Sequence, residues 1–231
     1  MANDSTPQAD KIGEIEDWSA WHDEYENSDS ELHRRKRGVQ AHVTAIANEL
    51  PAGPITVVSI CGGRAHEVIG ALENHPRKGD VRGRIVELDE ENSAFAREWT
   101  KKVGLGNLEV LTGDASIAES YKGLPPADIV VISGVFGHLS PSDRLQLIDF
   151  VRQIIRSGGY VVWTFTHTNQ DATDAVRDYY RAQKFEEEAY EGLGGKYCLT
   201  VARNHFVGEP APFDPSAKFF TFGSSRSEQA A

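Results

Sequence analysis

Through the middle of the chain, apolar residues come in short unbroken runs separated by helix-length segments of mixed character. Ile55–Ile60, Gly83–Leu88, Leu108–Thr112, Ile129–Ser133 and Tyr160–Phe165 are nearly all continuous rather than alternating, which marks strands buried on both faces. Between them lie helix-length segments at Ala65–Asn74, Glu91–Val103 and Pro141–Ile155. Strand and helix in strict rotation predict crossover connections and a mostly parallel sheet. A further helix, Ala172–Gln183, leads to strand-like runs at Phe185–Tyr190 and Lys196–Phe206, separated by Gly192, Gly194 and Gly195. That pattern predicts a glycine-rich hairpin adding an antiparallel edge strand.

Ahead of the first strand, Trp18, Trp21 and Tyr25 recur at helical spacing. Ser30 is an N-cap candidate for a second helix, whose apolar stripe is Leu32, Val39, Val43, Ile46 and Leu50 and which Pro51 and Pro54 end. The expected architecture is therefore a seven-stranded α/β sheet with an antiparallel C-terminal strand. It is divided into a polar tail at 1–13, a helical cap at 14–53, a core at 54–222 and a second loose tail at 223–231. Phe219, Phe220 and Phe222 form a dense apolar cluster near that end. Docking onto the domain surface accounts for it, with a homodimer contact as the second reading.

Composition narrows the function classes. The 231 residues suit one α/β domain. Lys plus Arg number 24 against 35 Asp plus Glu, a formal charge of −11, which disfavours nucleic acid as a partner because backbone binding needs clustered cations. The single basic run, Arg34–Arg37, turns through a whole helical turn and reads as a solvated face. Two cysteines, Cys61 and Cys198, argue for a reduced, cytoplasmic setting without a disulfide framework. No apolar run is long enough to span a bilayer, and the first ten residues lack a basic segment followed by an apolar one, so a soluble, unexported chain is expected. The histidines are scattered without ligand spacing, and no metal site is expected.

Candidate chemistry gathers at the strand ends. Ile55–Ile60 runs into Cys61-Gly62-Gly63-Arg64-Ala65, a small-residue turn that lets backbone approach a ligand. The second strand ends in Val86-Glu87-Leu88-Asp89; an acid there commonly grips a ribose diol, while Asp89 fits a helix N-cap. Thr112-Gly113-Asp114-Ala115 and Ser133-Gly134-Val135-Phe136-Gly137-His138 end the third and fourth strands. All of these lie at the carboxyl edge, where open α/β sheets bind ligands.

On these residues the sequence resembles the class I S-adenosylmethionine-dependent methyltransferases. More narrowly, it resembles an actinobacterial-type group with a Trp-His-x-x-Tyr segment (Trp21, His22, Tyr25), a loop opening on Cys, a Val-Glu-Leu-Asp strand end and a Gly-Val-Phe-Gly turn. The resemblance implies a Rossmann-like fold and S-adenosyl-L-methionine as cofactor. In that arrangement Ser59, Cys61, Gly62, Gly63 and Ala65 face its methionine part, and Glu87 holds the ribose with Leu88 against the adenine. Asp114 and Ala115 take the adenine edge, and Ser133 and Gly134 lie under the sulfonium. The usual Gly-x-Gly-x-Gly is replaced by Cys61 at the first position and Ala65 at the third, whose β-carbons narrow the cofactor space or alter the loop.

The implied activity is methyl transfer to an oxygen or nitrogen of a small-molecule acceptor. His138 is the candidate base; Trp21, His22, Tyr25, Phe136, Trp163 and His167 are the acceptor-contact candidates. The altered loop keeps open a protein of this fold without methyl transfer, either a cyclase, an isomerase or a binding module. A nicotinamide oxidoreductase fits less well, because His66 stands where the dinucleotide fingerprint needs its third glycine.

Overall fold

The computed structural model describes residues 30–166, 170–194 and 199–223. The helix preceding the sheet is α1 (Glu31–Glu49). Ser30 caps it, accepting a hydrogen bond from His33 N at 3.0 Å. The alternation follows as β1 (Ile55–Ile60), α2 (His66–Leu72), β2 (Val81–Glu87), α3 (Glu90–Val103), β3 (Leu108–Thr112) and β4 (Ala127–Ile132). It continues with α4 (Pro141–Ile154), β5 (Ile155–Phe165), α5 (Gln170–Ala182), β6 (Phe185–Gly194) and β7 (Leu199–Phe206). Asp89 caps α3 by accepting from Asn92 N at 2.8 Å, and Gly104 ends that helix in the left-handed conformation.

The strands form one sheet in the order β3-β2-β1-β4-β5-β7-β6. Neighbours from β3 to β5 pair in parallel, and β7 pairs antiparallel with both β5 and β6. The expected hairpin is present: β7 lies inside the sheet, and β6, antiparallel to it, forms the edge. The cause is burial. β7 carries Val201, Ala202 and Asn204 fully buried, whereas β6 carries Glu186, Glu187, Glu188 and Glu191, and charged residues belong on an edge that must not recruit another strand.

Alternate residues of each inner strand serve two cores. Ile55 and Val57 join Val39, Val43, Ile46, Val68 and Ile69 beneath α1 and α2. Val58 and Ile60 join Leu147, Phe150, Val176 and Tyr180 beneath α4 and α5. On the first face α1 lies along α2, with Gln40 Nε2 donating to His66 O at 2.8 Å and Thr44 Oγ1 to Ala71 O at 3.2 Å. That packing corrects the solvated reading of the basic run. Arg35 and Lys36 are 4% and 8% exposed, and Arg35 lies against Glu67 of α2 and Gly134 at the end of β4.

On the second face the passage from β3 to β4 contains only a short 3-10 turn, Ala118–Tyr121. The C-terminal segment covers that strip instead. Phe219 N donates to Ser116 O, Ala118 N donates to Ala217 O, and the Phe219 ring stacks on Phe150 with centroids 3.6 Å apart. Docking of the phenylalanine cluster is thus observed. Among the described residues no helix is long and apolar enough to cross a membrane.

Gly83 permits the close pairing of β1 and β2. Its φ is +132°, and a β-carbon there would sit 1.9 Å from Val57 O. Gly83→Ala is expected to lower the unfolding free energy by about 3 kcal/mol or more. Urea denaturation at constant m-value checks this, and a loss below about 1 kcal/mol would contradict the steric account.

Candidate functional site

The site is built where β1 and β4 lie side by side and the chain leaves them in opposite directions, the switch point at which open α/β sheets take ligands. Beyond Ile60 the backbone turns through left-handed conformations at Cys61 (φ 53°), Gly63 (φ 55°) and Ala65 (φ 60°). Left-handed geometry costs about 1–2 kcal/mol at a residue with a β-carbon. Two non-glycine residues therefore hold glycine-like geometry, and tertiary contacts enforce it. Gly62 N donates to Val86 O at 3.0 Å, Ala65 N to Gly62 O at 2.8 Å, and Gly63 N to Glu87 Oε2 at 2.7 Å. Gly62 has no room for a side chain, since a β-carbon would lie 2.4 Å from Ile85 Cγ2. Cys61 packs on the core beneath α4 and α5, and Ala65 is 2% exposed on the other.

Glu87 ends β2 with both carboxylate oxygens engaged, Oε2 by Gly63 N and Oε1 by Asp89 N at 2.9 Å. Burial raises its pKa above the ordinary value, and the backbone N–H groups of Asp89 and Gly63 oppose that rise. Beside it Leu88 is 71% exposed, the most exposed large apolar side chain among the described residues. Asp114 accepts from Ser116 N at 2.8 Å through Oδ1. Burial, reinforced by the carboxylates of Glu87 and Asp114, pushes the Cys61 thiol far above its usual range, which removes it as a thiolate nucleophile.

At the end of β4, Ser133 Oγ donates to Glu67 Oε1 at 3.0 Å, and Arg35 Nη2 lies 3.6 Å from the same oxygen. Arg35 also lies against the bare Cα of Gly134, where a β-carbon would come within 2.9 Å of its Nη1. Gly134 itself has φ 73° and donates through N to Thr164 Oγ1 at 2.8 Å.

These groups line one cavity of about 440 Å³. It brings together Ser59, Cys61, Gly62, Gly63, Ala65, Glu87, Leu88, Asp114, Ala115, Ser133 and Gly134. The volume lies within the range of small-molecule sites, about 300–1,000 Å³. Its lining also contains residues that are not among the site candidates of the sequence: Arg35, Glu67, Asn92, Phe220 and Phe222. Glu67 had a visible signal, a carboxylate in the otherwise apolar turn Val68-Ile69 of a helix packed on the sheet. Arg35 had none, because its partner is remote in sequence.

Two acceptor-contact candidates, Phe136 and Trp163, and the candidate base, His138, lie off this cavity. Phe136 and Trp163 are fully buried and do not line the cavity: their rings meet edge to face at 5.6 Å, and Trp163 Nε1 donates to Asn204 Oδ1 at 2.7 Å. An indole on a strand buried on both faces is consumed by the core. His138 does not line the cavity either; its ring stacks on Phe222 with centroids 4.8 Å apart and 21° between planes, and it is the phenyl ring that faces the space. Trp21, His22, Tyr25 and His167 lie outside the described residues.

No protein-family model matches the sequence, and no curated protein matches it. Solved structures do. Magnesium protoporphyrin IX methyltransferase from Synechocystis, crystallised with bound SAM, aligns with a TM-score of 0.63 at 10% identity, covering 89% of this chain and 100% of that one. The 1,6-didemethyltoxoflavin-N1-methyltransferase of Burkholderia thailandensis, with S-adenosylhomocysteine, aligns at 0.60 and 16%, covering 90% and 93%. The CurJ carbon methyltransferase aligns at 0.62 and 14%, covering 83% of this chain and 59% of that one. The molecule is thus an open α/β protein with a cavity at its switch point. Its particular fold is that of the class I S-adenosylmethionine-dependent methyltransferases.

Because the folded pKa of Glu87 is raised, the native state holds its proton more tightly than the unfolded chain does. This group's contribution to stability therefore falls as pH rises through the window between the ordinary value of 4.5 and the raised one. Carboxyl NMR is expected to place the Glu87 midpoint above 4.5, and unfolding of Glu87→Gln should lack that pH slope. A midpoint at or below the ordinary value contradicts the burial account.

Proposed function

We propose that the protein is an S-adenosylmethionine-dependent methyltransferase acting on an oxygen or nitrogen of a small molecule. The observation that carries this reading is the Glu87–Leu88 pair. A carboxylate oxygen can accept more than one hydrogen bond, so Glu87, pinned by Gly63 N and Asp89 N, retains acceptor capacity for the two hydroxyls of a ribose. The adjacent exposed Leu88 offers an apolar face for a purine. Asp114 Oδ2 has no partner among the described residues, which suits an exocyclic amino donor. At the opposite end, the buried Arg35–Glu67 pair presents both signs of charge side by side, matching the carboxylate and ammonium of an amino-acid head. The residues present therefore fit the cofactor, and the neighbours crystallised with SAM or S-adenosylhomocysteine support the same assignment.

When bound, the cofactor supplies an electrophilic methyl group on a sulfonium. The chain's share is alignment: holding two reactants in line is worth several kcal/mol, within the roughly 7–11 kcal/mol available from well-oriented intramolecular reactions. Ser133 and Gly134 form the floor at the end of β4, with Gly134 fixed by Thr164 Oγ1 and backed by the Arg35 guanidinium. Carboxylates of Glu67, Glu87 and Asp114 give the cavity an anionic lining suited to a cation. Phe220 and Phe222 add apolar surface to one side of the cavity. The net charge of −11 supports a small acceptor over a nucleic acid.

Calorimetric titration with S-adenosylmethionine tests the site. Glu87→Ala is expected to bind at least tenfold more weakly, a loss of about 1.4 kcal/mol or more, and Asp114→Ala to bind more weakly than the parent. Undiminished affinity in both variants overturns the assignment. Incubation with labelled cofactor and candidate acceptors is expected to release S-adenosylhomocysteine; tight binding without release favours a non-methylating role in the same fold.

A further inference from the structure

Three consecutive backbone carbonyls in the turn after β3 are each held by a donor from elsewhere in the chain. Asp114 O accepts from Ser120 Oγ at 2.6 Å, Ala115 O from the Tyr121 hydroxyl at 2.8 Å, and Ser116 O from Phe219 N at 3.0 Å. The first two donors sit on the 3-10 turn Ala118–Tyr121. The third belongs to the C-terminal segment, where Ala217 O also takes Ala118 N at 2.9 Å and Lys218 forms an antiparallel bridge with Ile117. Tyr121 and Phe219 are 2% and 3% exposed, and both pack on the Phe150 ring, with centroids 5.3 and 3.6 Å from it. Burial pushes the Tyr121 phenol well above its ordinary pKa, so its oxygen keeps the proton that it donates.

Buried carbonyls need partners in any fold, but the placement of these three reaches the site. Asp114 and Ala115 line the cavity, whereas Ser120, Tyr121 and Phe219 do not. Ser116 N donates to Asp114 Oδ1 at 2.8 Å. With the main chain pinned at 114, 115 and 116 and one carboxylate oxygen bound, the direction of Asp114 Oδ2 is set as well. We propose that Tyr121 and Phe219 are positioning residues for the nucleoside: through Ala115 O and Ser116 O they hold the Asp114 carboxylate against the purine's amino edge, and docking of the C-terminal segment is thereby coupled to cofactor binding. This rests on the methyltransferase reading and deepens it at the adenine. A binding group must be held to within about 0.5 Å by neighbours that are themselves locked. Between β3 and β4 the chain supplies only one short 3-10 turn for that purpose, and the far end of the chain completes the support. Coupling of this kind is reciprocal, so a bound nucleoside strengthens docking of the segment by the same factor.

The test uses the full chain and two ligands that differ at one position: S-adenosylhomocysteine and S-inosylhomocysteine, in which oxygen replaces the exocyclic amino group. Calorimetric titration of the parent is expected to favour the amino ligand at least tenfold, because an oxygen there sets acceptor against acceptor at Asp114. Tyr121→Phe removes one hydroxyl and keeps the ring. It should weaken S-adenosylhomocysteine about fivefold and reduce the preference below threefold. Phe219→Ala should do the same and Phe219→Leu recover part of the loss, while Phe213→Ala, at an exposed position of the same segment, keeps the parent's values. A merely structural role would lower the folded fraction and leave the preference intact. Hydrogen exchange without ligand gives a second readout: in Tyr121→Phe the Ser116 amide should exchange about fivefold faster, relative to the Val58 amide of β1, than in the parent. A Tyr121→Phe protein with the parent's preference, a parent with no preference, or an unchanged Ser116 amide overturns the proposal. If the parent binds neither ligand, the cofactor reading fails, and the exchange comparison alone decides whether Tyr121 holds the turn.

Discussion

Two backbone N–H groups bonded to one carboxylate hold the site in shape. Glu87 takes Gly63 N on one oxygen and Asp89 N on the other, so the loop after β1, the end of β2 and the start of α3 are joined at a single side chain. A charged acceptor makes each of these bonds stronger than its neutral counterpart. The arrangement also accounts for a loop that departs from glycine at two of its left-handed positions. Cys61 and Ala65 keep φ values of 53° and 60° because the bonds to Glu87 and Val86, together with burial of both side chains, outweigh a steric cost of a few kcal/mol.

A second constraint comes from the chain's own end. With only a 3-10 turn between β3 and β4, one strip of the second core would face water. Phe219, stacked on Phe150 and close to Tyr121, takes the place of a crossover helix. The residues that follow are thereby delivered to the rim of the cavity. Core packing and cavity lining share one segment: the apolar surface that completes the core is continuous with the surface that lines the cavity, through Phe220.

The charge distribution follows the same logic. The sheet's outer strand carries the glutamates, which a solvent-facing edge tolerates, and Arg177 forms a bidentate pair with Glu187 there, at 2.7 Å to each oxygen. Inside the cavity, the carboxylates of Glu67 and Glu87 are each held by specific donors, Ser133 Oγ for one and backbone N–H for the other. A buried carboxylate is tolerable only when it is so satisfied.

Much of this was legible without coordinates. Unbroken apolar runs between helix-length segments determined the parallel sheet, because strands covered on both faces need no polar alternation. The position of each acid or small residue at a strand's carboxyl end determined the cavity lining, because in such a sheet those ends share one edge. Ser30 and Asp89 declared their helix starts by local hydrogen-bond chemistry alone. What tertiary structure alone decided are relations between residues distant in sequence. The order of β6 and β7 depends on which strand is buried on both faces. Arg35 meets Glu67 and Gly134 only because α1 lies along α2, and that contact turns a run that reads as solvated into part of the site. Trp163 and Phe136, aromatic and at the right edge, are drawn into the core by the neighbours that face them, while Phe222 is carried to the cavity from the far end of the chain. Local pattern specifies what each segment can become; the choice between wall and core is made by long-range packing, which no single stretch of sequence contains.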